Sequence, residues 1–260
     1  MMEIENKIME DNAANPSANK VLVEIKNLQK CFGQQVVLKD MSMQLFEGEN
    51  LVILGKSGSG KSVLIKCIVR LLIPEGGTIQ VLNKDVGSLN IHALNELRKK
   101  IGFLFQSGAL YDSMTVRQNL EFPLRRIKRD MSDKEVEEKV IEVLENVGLA
   151  DAINKMPSQL SGGMRKRISL ARTIGVDPKI MLYDEPTTGL DPVTSDEISL
   201  LINEVKKKYK TSSIIITHDI ECARATADRV IMLQEGVVYE EGGLESFEKS
   251  SDPIIRSFFK

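Results

Sequence analysis

Apolar residues along this chain come in two forms, short continuous runs and stripes at helical spacing, and the two forms alternate. Val21-Leu22-Val23-Glu24-Ile25, Gln35-Val36-Val37-Leu38 and Leu51-Val52-Ile53-Leu54 read as strands separated by turn residues. The third is apolar throughout and ends at Gly55, the pattern of a strand buried on both faces by flanking helices. A helix is predicted from Lys61 to Leu72, stopped by Pro74 and the pair Gly76-Gly77. Between Ile91 and Leu149 the pattern turns helical and charged. There Ser132-Asp133-Lys134-Glu135 reads as a capping box ahead of Val136, Val140, Ile141, Leu144 and Val147. This stretch predicts a helical insert. Beyond Pro157 the alternation resumes with strands at Ile180-Met181-Leu182-Tyr183, Ser213 to Thr217 and Val230 to Leu233. A helix from Thr194 to Tyr209 lies between the first two, with Ile198, Leu201, Ile202, Val205 and Tyr209 on one face. Lys206-Lys207-Lys208 falls in its last turn, where cations suit the helix dipole. Buried strands alternating with helices predict a mainly parallel α/β sheet.

Composition narrows the picture. A chain of 260 residues is long for one ordinary domain and short for two, so one α/β domain with an attached subdomain is expected. Hydrophobic residues at 42% and charged residues at 28% are the balance of a globular chain and exclude disorder for most of its length. With 35 Lys and Arg against 37 Asp and Glu, the net charge of −2 gives no global reason to bind nucleic acid or an anionic membrane. The longest stretch without Asp, Glu, Lys or Arg is the eleven residues Ile101 to Tyr111, against about 20 for a helical membrane span. No transmembrane helix is expected. Residues 1–20 are polar and Asn-rich, without the features of a secretory signal, and are expected to form a flexible tail. Cys31, Cys67 and Cys222 are far apart and outside any CxxC arrangement, which predicts unpaired thiols. With only His92 and His218 to add, the pattern argues against zinc.

The candidate chemistry starts where the buried strand ends. Gly55-Lys56-Ser57-Gly58-Ser59-Gly60-Lys61-Ser62 fits the P-loop pattern between a strand and a helix. Glycines let successive backbone N–H groups surround a phosphate, and the following helix N-terminus adds donors and its dipole. Lys61 would reach the β- and γ-phosphates of ATP, and the Ser62 hydroxyl would ligate Mg2+. Lys56 suits either a phosphate contact or a solvated place on the loop, the second being favoured. Far along the chain, the apolar run Ile180 to Tyr183 leads into Asp184-Glu185. A buried strand ending in a carboxylate places Asp184 beside the Mg2+, and Glu185 could then orient or deprotonate the attacking water. A turn with two solvated acids before Pro186 is the plain alternative.

Leu160-Ser161-Gly162-Gly163-Met164 stands before a helix that begins Arg165-Lys166-Arg167. A hydroxyl, two glycines and a helix N-terminus make an anion site. The segment resembles the signature motif of ABC-transporter ATPases, whose order between P-loop and Walker B it shares. That resemblance covers roughly Val21 to Gly242 and implies an ATP-binding cassette. Its parts would be a P-loop NTPase core, an antiparallel β subdomain near the N-terminus, a helical subdomain over about residues 91–160, and a C-terminal tail over 243–260. It further implies that Ser161, Gly162 and Gly163 close over ATP bound to a second copy in a homodimer. Gln106 is similar to the Q-loop glutamine that contacts Mg2+ or water, Asp191 to the D-loop aspartate, and His218 to the switch histidine that touches the γ-phosphate. Phe32, 29 residues before Lys61, resembles the aromatic that stacks on adenine.

Local departures refine the resemblance. Met164-Arg165-Lys166-Arg167, Tyr183 before Asp184, Thr188-Gly189-Leu190-Asp191, the run Gln106 to Val116, and Phe122-Pro123-Leu124-Arg125 are similar to the ATPase of Mla-type phospholipid transporters. This resemblance implies a transmembrane permease partner at the cytoplasmic face of the inner membrane, with an MCE lipid-binding subunit reached through it. Ala109, Leu110, Tyr111 and Met114 then suit either a permease contact or subdomain core. Arg125, Arg126, Lys128 and Arg129 form a basic run open to lipid headgroups or plain solvation. Ile254-Ile255 and Phe258-Phe259 are apolar residues of the tail that suit docking on the same domain or on a second protomer. An ATPase for a small polar solute and a nucleic-acid machine are the competing readings. The single P-loop, the short insert and the negative charge disfavour the second.

Overall fold

The apolar runs become strands of two sheets in the computed structural model, which describes residues 20–259. The expected N-terminal tail lies outside the described residues, Lys20 excepted. A four-stranded antiparallel sheet contains β1 (Val21–Phe32), β2 (Gln35–Phe46), β4 (Gly76–Val81) and β5 (Lys84–Asp85), in the order β2-β1-β4-β5. A six-stranded sheet runs β10 (Val237–Gly242), β9 (Arg229–Gln234), β3 (Asn50–Leu54), β8 (Ser212–Thr217), β7 (Ile180–Asp184), β6 (Ile101–Leu104). All its pairings are parallel except that of β10 with β9.

Successive side chains of a strand point to opposite faces, and this explains the continuous apolar runs. Val52 and Leu54 of β3, with Met181 and Tyr183 of β7, enter one core. Their neighbours Leu51, Ile53, Ile180 and Leu182 enter a second core on the other face of the sheet. Every residue of β3 and β7 is buried, and each fully buried Leu or Ile contributes about 1.5–3 kcal/mol. The C-terminal ends of both strands are thereby held rigidly, which matters because the P-loop follows one and Asp184 ends the other.

The helices divide between the two faces. On the second core lie α1 (Lys61–Ile68), through Leu64, Ile65 and Ile68, and α2 (Ile91–Arg98), through Leu94 and Leu97. The first core is covered by α3 (Val116–Ile127), α4 (Asp133–Asn146), α5 (Gly162–Ile174), α6 (Pro192–Tyr209) and α7 (Ile220–Thr226). Helix α1 ends four residues earlier than the sequence predicts. Arg70 takes a left-handed φ of 51°, and its N–H and that of Leu71 return to the carbonyls of Cys67 and Lys66. Gly76-Gly77 opens β4 rather than merely stopping a helix. At Gly77, φ is 83° and a Cβ would lie 2.4 Å from the Asn27 carbonyl oxygen, so only glycine fits where β4 crosses β1.

The stretch expected to be helical from Ile91 contains β6, which pairs with β7 as the edge of the main sheet. The helical part proper comes after β6, in α3 and α4 and two single turns, Ala150–Ala152 and Pro157–Gln159. Helix α4 begins with the predicted capping box, the Glu135 carboxylate accepting from Ser132 N–H at 2.7 Å and Ser132 Oγ accepting from Glu135 N–H. Val136, Val140, Leu144 and Val147 are buried as predicted, but Ile141 is 40% exposed and Val143 takes its place. Position 143 continues the 136–140–147 stripe, whereas 141 lies about 100° around the helix.

The C-terminal segment docks on its own domain. Phe247 of α8 (Leu244–Glu248) and Ile255 of α9 (Pro253–Arg256) are buried in the first core, while Phe258 and Phe259 pack against it. Tyr239 donates to Asp252 at 2.8 Å, fixing the turn into α9. The three thiols are unpaired, and burial pushes those of Cys67 and Cys222 up to about 11. No helix among the described residues is long and apolar enough to cross a membrane.

Candidate active site

A cavity of about 670 Å3 opens at the C-terminal ends of β3 and β7. Open parallel sheets place ligands outside the carboxyl ends of their strands. Ser57, Gly58, Gly60, Lys61, Ser62, Gln106, Glu185 and His218 all line it, so residues up to 161 positions apart in the P-loop, Q-loop, Walker B and switch elements converge. Gly58 and Gly60 have φ of 82° and 104°, left-handed conformations that glycine adopts freely. A Cβ on Gly60 would lie 2.8 Å from Leu38 Cδ2, and one on Gly55 2.6 Å from the Leu233 carbonyl oxygen. The loop is therefore glycine for space as well as for dihedral angle.

Lys61 is buried, its Nζ donating to the carbonyls of Gly55 at 2.6 Å and Lys56 at 3.1 Å and lying 3.5 Å from Glu185 Oε1. Ser62 Oγ donates to Asp184 Oδ1 at 2.9 Å. Burial raises the Asp184 carboxyl above its ordinary pKa, against the lowering effect of the Ser62 hydrogen bond and the Lys66 charge. Glu185 has a left-handed φ of 50°. Its Oε2 lies 2.8 Å from His218 Nδ1 and accepts from Thr188 Oγ1 at 3.1 Å. The hydroxyl of Ser62, the Asp184 carboxylate beside it and the Gln106 amide on the same cavity are hard oxygen donors. They fit Mg2+, which takes few protein oxygens and completes its shell with phosphate and water.

The other predicted residues lie elsewhere. Ser161 caps α5, its Oγ accepting from Met164 N–H at 3.2 Å, and Gly162 and Gly163 form the first turn. A Cβ on Gly163 would lie 2.4 Å from Thr194 Cγ2. Asp191 caps α6, accepting from Thr194 N–H at 3.0 Å and Thr194 Oγ1 at 2.6 Å, and these bonds hold its carboxyl below the usual range. Signature and D-loop thus pack on each other through Thr194, and none of their residues lines the cavity. Ser59 contributes to the loop with its hydroxyl unpartnered. Phe32 is not among the residues that line the cavity. It sits 47% exposed at the tip of the β1–β2 hairpin, with Lys30 Nζ 5.1 Å from its ring. The aromatic that lines the cavity is Phe258 of the tail, with Lys56 Nζ 6.0 Å from its ring centroid.

Sequence reasoning missed several residues around the site. Asn119, buried in α3, accepts from Tyr111 N–H and donates to the carbonyls of Tyr111, Met114 and Thr115, holding the segment that follows Gln106. Beside it Tyr111 and Phe122 meet edge to face at 5.4 Å, flanked by Arg126 and Arg172. The basic run is largely spoken for, Arg125 pairing with Asp133 at 2.6 Å and Lys128 with Asp177 at 3.0 Å. Lys166, noted only as part of a basic helix start, is buried beneath Glu185. The signal was its place on the buried face of α5, in phase with Gly163, Leu170 and Ile174.

Comparison with known proteins agrees with this geometry. The ABC transporter family model matches residues 38–188, more than half of the chain. The methionine import ATP-binding protein MetN of Brucella abortus is 35% identical over 246 residues, spanning 94% of this chain and 66% of the relative. The probable ribonucleotide transport ATP-binding protein mkl of Mycobacterium leprae is 39% identical over 238 residues, spanning 92% and 68%. The chain thus spans about two thirds of the length of these curated relatives. Among solved structures, the ATP-binding cassette MJ0796, dimeric in a post-hydrolysis state with ADP and Pi, superposes with a TM-score of 0.79 at 34% identity. That match covers 86% of this chain and 99% of the other. Matched P-loop, matched cassette fold and matched sequence agree: the chain belongs to the ABC transporter family and is one of its ATP-binding cassettes, proteins that are ATPases.

Proposed function

We propose that this chain binds ATP with Mg2+ and hydrolyses it as one of two copies, driving a separate membrane permease. The observation that carries the reading is the convergence of Lys61, Ser62, Glu185 and His218 on one cavity, with Asp184 hydrogen-bonded to Ser62 behind it. Backbone N–H groups of the loop, other than that of Ser59 which is spent on the Lys56 carbonyl, cradle the phosphates, and Lys61 exchanges its carbonyl partners for phosphate oxygens. Ser62, Asp184 and Gln106 would hold Mg2+, which would supply positive charge to neutralise the phosphates. Glu185 orients and deprotonates a water that attacks the γ-phosphorus, and the bond to the ADP oxygen breaks to leave ADP and phosphate. His218, beside Glu185 Oε2, keeps that carboxylate aimed and reaches toward the γ-phosphate, with Gln106 on the same cavity wall. The donors at Ser161, Gly162 and Gly163 are directed at ATP in the second copy, next to its D-loop partner Asp191.

For cargo the reading is phospholipid, moved between inner and outer membranes through a permease at the cytoplasmic face of the inner membrane and an MCE lipid-binding subunit. The sequences from Gln106 to Val116 and Phe122 to Arg125 support it. Their side chains Tyr111 and Phe122 form an aromatic surface next to the Q-loop, suited to a permease segment. The names of the relatives, methionine import and ribonucleotide transport, favour a second reading as an importer ATPase for a small polar solute. Isolation of the full chain with its membrane partners, followed by identification of bound lipid, decides between them. A permease with bound phospholipid is the expected result, and a permease bound to a solute receptor without lipid overturns the phospholipid reading.

A further inference from the structure

Lys166 is 5% exposed, in the second turn of α5. An ammonium is costly to bury without a partner. Burial indeed lowers its pKa, while the charges of Asp184 and Glu185 oppose that shift. Its Nζ donates to the main-chain oxygen of Glu185 at 3.2 Å. On its other side the Glu185 N–H donates to the Ile216 carbonyl at 2.9 Å. Glu185 therefore sits in a left-handed conformation, φ 50°, with its backbone gripped at both ends. A side chain with a Cβ adopts that conformation only when its surroundings over-determine it.

We infer that Lys166 is a positioning residue: its hydrogen bond holds the Glu185 peptide in the conformation that aims the carboxylate into the cavity, toward His218 Nδ1 and Lys61. The inference rests on the reading of Glu185 as the hydrolytic carboxylate. Helix α5 begins at Ser161-Gly162-Gly163, so one rigid helix carries both the signature face and the anchor of the chain's own Glu185. Thr188 holds the Glu185 side chain from the following loop, and Lys166 holds its backbone from the helix.

The test is steady-state ATP turnover by the full chain, with melting temperature read alongside. Lys166→Met keeps length and apolar packing but removes the donor. It is expected to lower kcat about tenfold with KM for ATP unchanged, the loss of one charge-assisted hydrogen bond made to the catalytic loop. Lys166→Arg restores a charged N–H donor and is expected to recover most of that loss. Wild-type kcat in Lys166→Met, or equal losses in both variants at unchanged melting temperature, overturns the inference. If Lys166→Met does not fold, Lys166→Arg alone carries the test: a kcat near wild type supports the bond, and a folded enzyme with a large loss contradicts it. Glu185→Gln in the same assay separates the two layers. Full turnover there overturns the reading of Glu185 itself, whereas lost turnover there with an unaffected Lys166→Met overturns only the role of Lys166.

Discussion

The P-loop cavity and the signature face are built from the same materials, yet only the first is complete within one chain. Both combine glycines, a hydroxyl and the N-terminus of a helix. At the cavity of about 670 Å3, Glu185 lies within ion-pair reach of Lys61 and hydrogen-bonding reach of His218, and Ser62 donates to Asp184. At the signature face, Ser161 is engaged by Met164 and Asp191 by Thr194, and the donors of this face do not line the P-loop cavity. On the proposed function the signature donors are half of a site: one copy binds nucleotide at its own P-loop and receives the signature donors from a second copy.

The largest effect should come from the cavity. Lys61→Ala removes the buried ammonium that the loop places at the cavity beside Glu185. ATP binding measured by calorimetry should be lost, with turnover down on the order of 10²–10³-fold, as when one preorganised charge-stabilising donor is removed. Ser161→Ala sharpens the contrast from the other side. One copy should bind ATP as before, turnover should fall, and chemical denaturation should show the loss of the α5 cap at about 1 kcal/mol. Equal loss of ATP affinity in Ser161→Ala and Lys61→Ala would erase the distinction between the two regions. A smaller effect is expected away from both. Asn119→Ala strips four hydrogen bonds from the segment after Gln106. It should cost about 1–3 kcal/mol in urea unfolding while leaving ATP affinity unchanged.

The same contrast shows what could be read from the residues alone. The cavity was legible because its chemistry sits at the ends of strands that are apolar throughout, β3 before the P-loop and β7 before Asp184. Period and motif pointed to one place. Phe32 was not legible in the same way. An aromatic near a strand end looks alike whether it serves a base or a core; the hairpin leaves Phe32 47% exposed with Lys30 near its ring, while Phe258, which no motif marks, lines the cavity. Helix α1 ended early because Arg70 adopts a left-handed turn that no residue in Lys66 to Leu72 announces. Asn119 and Lys166 share another cause. Each is a polar residue in a buried helical stripe, and its partners are main-chain groups, which leave no mark on residue type.

The central claim is that two copies, each complete at the P-loop and incomplete at the signature, enclose ATP between them. Light scattering of Glu185→Gln with saturating ATP and Mg2+ tests it most directly, because that variant should bind nucleotide without discharging it. The account predicts a mass of two chains with ATP and of one chain without it. A single-chain mass at saturating ATP would contradict it.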